Sequence, residues 1–584
     1  MCILAYMLYH AGVTTGESIA QGGGFNLHTQ VLDALPLVDH FCSRLALNEW
    51  LHTAVGGGDA RTRLSPARAL GVVIRNICLH HEPVYALGEW AARHDPSTLG
   101  LRPGDVELVN DDRVGRALGR LFDADRATLL NELVLRAVKE FEVDCSQLHN
   151  DSTSVRLNGV FAKASGRPRG GKPTVIAAHG FSKDHRPDLK QLVWILTVAA
   201  DGAVPLAHRV TDGNTEDSTT HISTWEGLCQ LLGQNDFLYV ADSKLAVRTT
   251  MDHIHRHGGR FVTVLPRSRK EDQALREWLV SHEPEWAEVL RRPGRRQEDP
   301  DDVYSVAPAP WPSSEGYRVV WVLSTGKRER DAETRQRRIA DGIAALDALN
   351  QRLLSPRTRL RDRVTIATEA DQALADCFAS RWVGYEIQEV TEVRLRQESR
   401  GRPGRNTRYR RITTTRHRLH FVVREDLVAA DACSDGCWPL VTNDRKLPAA
   451  DLLVACKHQP HLERRHHLLK GDQLVAPVFL RDPARIEGLM TCHFIALLLQ
   501  ALIELQIRRE MARRDLPSLP LYPEDRSTLA PSAERIIQVF TGVARHRLTD
   551  AAGNLVQTFP PELTILQLQQ QLLELLAVPS ACYA

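Results

Sequence analysis

KQLVWILTVAADGAVPLAHRV, residues 190–210, consists of two apolar runs joined through Asp201-Gly202. An Asp-Gly pair carries hairpin turn chemistry, so the flanking runs are expected to pair as antiparallel strands. Upstream, VDCSQLHNDSTSV (143–155) reads as another strand. Downstream come a helix, THISTWEGLCQLL (220–232), a short buried strand, FLYVADS (237–243), a helix stopped by glycine, AVRTTMDHIHRHG (246–258), and a strand, RFVTVLP (260–266). A hairpin followed by strand, helix and strand is the order of a ribonuclease H-like core, here still lacking its last helix.

On either side the pattern changes. From about Ala34 to Phe141 the chain reads as helical: Ser65-Pro66 is a cap and first-turn proline opening ALGVVIRNICLH, and Asn110-Asp111 can cap DRVGRALGRLFDAD. Residues of about 267–449 hold charged runs, a long polar helix near Lys327 to Leu354, and β-like runs such as WVGYEIQEVTEVRLR and RLHFVVRED. AADLLVACKHQPHLERRHHLLKG (449–471) resumes the core as a helix. A buried helix from Pro483 to about Arg513 follows, then a hairpin near Asp550 to Asn554 and an amphipathic helix, LTILQLQQQLLELLA (563–577). The expected fold class is α/β: a ribonuclease H-like catalytic core interrupted by an α+β insertion, preceded by a helical domain and followed by a small helical tail. The expected boundaries are 1–140, 141–266, 267–449, 450–515 and 516–584.

Composition narrows the class. With 584 residues and 43% apolar content, the chain can build several cores. The 74 Lys+Arg against 72 Asp+Glu leave a formal charge of only +2, so contact with a polyanion has to come from local clustering. Eleven scattered cysteines fit a reduced compartment, and Cys433-x3-Cys437 lacks the second pair a zinc site needs. The first residues lack the basic segment of a secretory signal, and His493, Gln500 and Glu504 interrupt the longest apolar run, which reads as a buried helix over a membrane span. A soluble cytoplasmic protein is expected.

Asp151 and Asp242 fall at expected strand ends within short apolar runs, where an uncompensated carboxylate costs several kcal/mol unless a partner or metal stabilises it. Two such groups at a sheet rim can converge on a metal pair about 4 Å apart, and hard oxygen ligands suit Mg²⁺. Glu463 opens a Glu-x6-Lys spacing that ends at Lys470, two helical turns on and on the same face.

HNDSTS (149–154), SKDHRPDLKQ (182–191), ILTVAADGAVP (195–205), DGNTED (212–217) and the run Lys457-His458-Gln459-Pro460-His461-Leu462-Glu463, continuing to Leu469-Lys470, together resemble bacterial insertion-sequence transposases of the DDE superfamily. Within it, the likeness is to the insertion-sequence four group with its Tyr-x2-Arg-x3-Glu-x6-Lys signature, and to the 1634-like branch. The resemblance implies that Asp151, Asp242 and Glu463 are the metal-binding catalytic carboxylates for two Mg²⁺ ions, with Mn²⁺ a substitute, and that Lys470 meets a DNA phosphate. It implies double-stranded DNA partners, namely terminal inverted repeats and target, a homodimer in the synaptic complex, cut-and-paste movement through a hairpin intermediate, and a cytoplasmic, nucleoid-associated enzyme without a membrane partner. The signature tyrosine falls at Cys456 and its arginine at Gln459. Cysteine there leaves open a decayed copy that only binds DNA. Glu487 is a rival third acid, but no lysine stands seven residues after it.

Eight arginines lie between Arg394 and Arg411, among them Arg400, Arg402, Arg405 and Arg408 around Gly401, Pro403 and Gly404. They read as a phosphate-binding basic ribbon. GRPRGGK (166–172) is a second basic loop of this kind. Arg113, Arg116 and Arg120 share one helix face, which fits either a phosphate-contacting stripe or a solvated surface.

Overall fold

The computed structural model describes residues 25–56, 62–79, 81–294, 299–355, 358–471, 480–559 and 567–583, with 473, 475, 476 and 478 between. The expected start of the chain, the middle of the 291–302 charged run and the first turn of the terminal helix lie outside these residues. The chain forms two compact units, one ending at Phe261 and resuming at Lys457, the other spanning Val262–Cys456.

The first unit opens with β1 (Phe25–Val31) and the helices α1 (Leu35–Arg44), α2 (Leu47–Val55), α3 (Pro66–Leu79), α4 (Leu87–Ala92), α5 (Asp111–Asp123) and α6 (Arg126–Glu140). Asn110 caps α5 as expected, its side chain accepting the Arg113 amide at 2.9 Å. Val114, Leu118, Leu121 and Phe122 form the helix's buried face.

β2 (Gln147–Leu157), β3 (Lys190–Ala199), β4 (Pro205–Thr211), α7 (His221–Leu232), β5 (Leu238–Ala241) and α8 (Arg248–Arg256) follow in the expected order. The strands stand β4-β3-β2-β5, antiparallel within the hairpin and parallel between β2 and β5. Gly202 turns the hairpin at φ +66°, and a Cβ there would stand 2.8 Å from Leu505.

The second unit is a mixed α and β body. β6 (Arg260–Val264) leads into it, followed by α9 (Lys270–Leu279), β7 (Ala287–Arg292), β8 (Asp302–Pro308), β9 (Arg318–Ser324), α10 (Thr325–Leu354), α11 (Arg363–Asp376), β10 (Val383–Gln397), β11 (Tyr409–Val423), α12 (Glu425–Ala432), β12 (Cys437–Thr442) and α13 (Ala449–Lys457). β12 pairs antiparallel with both β6 and β9. β10 and β11 form a separate two-stranded ribbon in register from Val383↔Val423 to Gln397↔Tyr409. Its base sits on Leu346, Leu349, Leu353, Ile366 and Leu374, and Asn350 locks it by bonding both backbone groups of Leu419.

The first unit resumes with α14 (Gln459–Lys470), α15 (Pro483–Arg513), α16 (Ala533–Val539), β13 (Ala544–Asp550), β14 (Leu555–Phe559) and α17 (Gln567–Leu575). The single helix expected over 449–471 is two, α13 and α14, divided at His458. Pro460 explains the break: it has no N–H for the carbonyl four residues back, and its ring clashes there. α15 is long and apolar enough to cross a membrane, yet 94% of its apolar window is buried inside the protein. It joins the two ends of the unit: Gly488 backs onto Leu118 of α5, Ala496 accepts from the Cys78 thiol of α3, and Phe494 lies 4.6 Å from the His208 ring on β4. β1 pairs with β13 from Phe25↔Asp550 to Val31↔Ala544.

Candidate active site

The register of β2 against β5 sets the centre. Asn150 stands opposite Ala241 in a parallel pair of strands that run about 4.8 Å apart, so Asp151, the next residue along β2, and Asp242, the residue just past the end of β5, leave that pair side by side. Asp151 is not at the end of its own strand, as expected, but at its fifth residue. It is β5 that ends, at Ala241, and leaves the sheet open beside Asp151. The Asp242 side chain accepts the Lys244 amide at 3.0 Å and so caps the turn that follows.

Both carboxyls are pushed above the ordinary aspartate range, chiefly by burial. Lys183 and the Ser152 amide moderate the effect on Asp151. For Asp242 the Lys244 amide opposes burial while the charge of Asp151 adds to it, so the two repel each other. A pair of this kind favours a bound cation.

Lys183 supplies one positive charge. Its Nζ lies 2.5 Å from the Ser152 carbonyl, 2.9 Å from Ser152 Oγ, 3.4 Å from Asp151 Oδ1 and 3.5 Å from Asp217 Oδ2. Sequence reasoning did not single out Lys183 or Asp217, though both lie in the quoted runs SKDHRPDLKQ and DGNTED. Close backbone packing pins these runs together: a Cβ on Gly180 would stand 2.1 Å from the Gly213 carbonyl, and Gln191 Nε2 donates to both Phe181 O and Gly213 O. His221 lies behind them, its Nδ1 3.1 Å from the Tyr239 hydroxyl, and burial depresses its imidazole against the pull of Asp242 and Asp217.

α14 lays one stripe along β2. Gln459 Oε1 is 3.2 Å from His149 Nδ1, His466 Nε2 is 3.8 Å from Asp151 Oδ2, and Lys470 Nζ is 2.6 Å from Asp184 Oδ1. Gln459, where the signature has arginine, thus ties the helix to the strand that carries Asp151. Burial, reinforced by Lys183 and Lys470, lowers the His466 imidazole to about 3. Helical spacing puts Glu463 in the same stripe, four residues after Gln459 and three before His466. It is exposed and takes part in no hydrogen bond or ion pair among the described residues. No three His, Cys, Asp or Glu side chains among those residues are gathered closely enough to hold a metal ion.

On the opposite face of α14, Arg465 is buried and paired with Glu504 at 3.0 Å, and it also donates to the carbonyls of Gly202 and Ala203. That anchor fixes the helix against the hairpin. Glu487, the rival acid, accepts from Arg126 and from the Val175 amide, which is a structural role.

The basic segments differ in kind. In the 166–172 loop, Arg169 pairs with Asp123 and Lys172 donates to the carbonyls of Asp123 and Ala124, so both cations complete the end of α5. In the second unit, Arg400, Arg402, Arg405 and Arg408 lie exposed at the tip of the β10–β11 ribbon and form no ion pair among the described residues.

A family model described as a domain of unknown function, DUF4277, matches residues 27–135, which carry the helices α1 to α5 and part of α6. No curated protein matches. Among solved structures, a cryo-EM structure of the piggyBac transposase synaptic complex with hairpin DNA is similar at 10% identity and a TM-score of 0.25, over 59% of this chain and 73% of that one.

Proposed function

We propose that this chain is the transposase of a bacterial insertion sequence, binding the element's terminal inverted repeats and catalysing Mg²⁺-dependent strand nicking and transfer on a ribonuclease H-like core. The observation that carries the reading is the Asp151–Asp242 pair, Asp151 within β2 and Asp242 just past the end of the adjacent parallel strand β5, with the Glu463–Lys470 helix laid along β2. Asp151 and Asp242 offer hard oxygens in a partly desolvated place, which fits Mg²⁺ or Mn²⁺. Glu463, one turn from His466, is the third ligand we assign. Divalent ions held there would stabilise the charge that develops on the phosphate in transfer. The cation of Lys183 orients Asp151, Lys470 reaches for a backbone phosphate, and the arginines of the ribbon tip grip DNA. Two copies would pair to hold both ends.

Two observations favour a second reading, a decayed copy that only binds DNA. Lys183 bonds Asp151 and Asp217 while Glu463 stands apart, and Cys456 replaces the signature tyrosine. The test is to incubate the purified protein with duplexes carrying the element's inverted repeats and Mg²⁺, beside Asp151→Ala and Glu463→Gln. Nicking by wild type alone supports the transposase. Binding without nicking selects the decayed copy, and nicking unchanged in Asp151→Ala overturns the assignment of the site.

A further inference from the structure

Away from the carboxylates, α5 and the segment from Thr62 to Pro66 enclose a cleft of about 320 Å³ whose polar lining is dominated by Arg63, Arg113, Arg116 and Arg120. Three of these arginines lie on one stripe of α5, at positions i, i+3 and i+7, and the fourth faces them from the chain segment that leads into α3. A charged helix face is normally a convex, solvated surface with acids interspersed. This one is walled, with Leu64 and Ala117 buried in its floor.

Charge compensation is sparse. Asp112 pairs with Arg116 at 2.7 Å, with both side chains more than half exposed. An exposed pair of that kind contributes little and yields to a competing anion. Arg113 is held in place by donating to the Leu108 carbonyl at 2.9 Å. Arg63, Arg113 and Arg120 form no ion pair among the described residues. Planar guanidinium forks converging on one cleft are suited to phosphate oxygens, which they bind in pairs.

We infer that this cleft seats the phosphodiester backbone of one DNA strand. From Arg113 to Arg120 the helix rises about 10.5 Å. That length corresponds to about three axial steps of about 3.4 Å along one strand. Backbone contacts of this sort set register without reading bases, so the site would act alike on every sequence. The inference rests on the reading of the chain as a DNA-acting enzyme and adds a contact surface in its helical domain.

The test uses the full-length protein and a fluorescent duplex of arbitrary sequence, with affinity measured from 50 to 200 mM salt. Each lost phosphate contact lowers the steepness of log K against log salt by about 0.9. The double variant Arg116→Gln, Arg120→Gln is expected to lose about 1.8 from that slope and to weaken binding equally on unrelated sequences. Arg116→Lys, Arg120→Lys is expected to keep most of it, and equal melting temperatures would exclude a folding defect. An unchanged slope in a folded Gln variant overturns the inference while leaving the proposed function standing. Absence of DNA binding by wild type removes both. If inorganic phosphate raises the melting temperature of wild type but not of the Gln variant, and the DNA slope is unchanged, the cleft is a small-anion site and the inference is wrong.

Discussion

Lys470 Nζ lies 2.6 Å from Asp184 Oδ1, so the lysine of the Glu-x6-Lys spacing is held by a carboxylate from the 182–191 loop. The two border a cleft of about 300 Å³ together with Ser154 and Arg156. A phosphate entering that cleft has to displace Asp184 from the lysine. Lys470→Ala is therefore expected to weaken DNA binding and reduce the salt slope by about 0.9. Asp184→Asn should strengthen binding at low salt by removing a rival anion. Titration of labelled duplex checks both, and tighter binding by Lys470→Ala would refute the role.

Removing one partner of the Arg465–Glu504 pair should destabilise the first unit. Both side chains are almost fully buried, and Arg508 also approaches Glu504 at 3.3 Å. Glu504→Gln strips a buried guanidinium of its acid, a change that costs about 3–5 kcal/mol. Burial alone would raise the Glu504 carboxyl, but Arg465 and Arg508 hold it below its ordinary value of 4.5. The stabilisation is thus complete above pH 4.5 and is lost as pH falls through the depressed value. Urea unfolding at pH 7 and at lower pH should show the variant's deficit shrinking with acid.

Two buried histidines predict a second acid transition at milder pH. Burial, aided by Arg126, pushes His208 down to about 3, and burial with His81 does the same to His493. Both bases have folded values below the unfolded 6.5, so the unfolded chain takes the proton first and stability falls as pH drops from 6.5 toward 3. The slope approaches about 1.4 kcal/mol per pH unit for each. His208 lies between Trp194 and Phe494, and neither ring nitrogen has a hydrogen-bond partner among the described residues. His208→Phe should flatten the profile and stabilise the fold at pH 5, as followed by melting temperature.

Gly488 opposes two expectations. A glycine inside a helix normally costs about 1 kcal/mol against alanine, which would make Gly488→Ala stabilising. Here the added Cβ would stand 2.3 Å from the Leu118 carbonyl, backbone that cannot swing aside. Overpacking costs about 1–3 kcal/mol, so the variant is expected to be less stable. Chemical denaturation decides the sign.

The helices from residue 35 onward were legible because caps such as Asn110 and a steady apolar period agree with the final packing. The β3–β4 hairpin was legible from its Asp-Gly turn. β1 was not, because its side chains are largely exposed and its partner lies more than 500 residues on, in β13. The division between α13 and α14 was written in Pro460 but outweighed by continuous helix-forming sequence on both sides. At the site, Asp242 could be picked out as an acid closing the apolar run Phe237–Ala241, whereas Asp151, among His149, Asn150, Ser152 and Thr153, stood out only through the resemblance its segment carries, and their adjacency came from strand register. Lys183 and Asp217 could not, since each sits in a charge-dense loop where only close backbone packing decides which groups turn inward. The β10 run and the last part of β11 read as strands, but their long pairing did not, because beyond Ile387 and Leu419 both ribbon faces are largely exposed, Val393 and Leu395 included, so no buried alternation marks the register.

α15 also bears on how the chain matures on the ribosome. The helices between residues 35 and 140 emerge early, yet the element that covers α3 and α5 is not complete until Arg513. At about 5–20 residues per second, on the order of 20 to 80 s separate the synthesis of α5 from that of its covering helix. Throughout that interval the nascent first domain carries an uncovered apolar surface, a binding site for chaperones, and ribosomes stalled within the second unit would release a product unable to close its core.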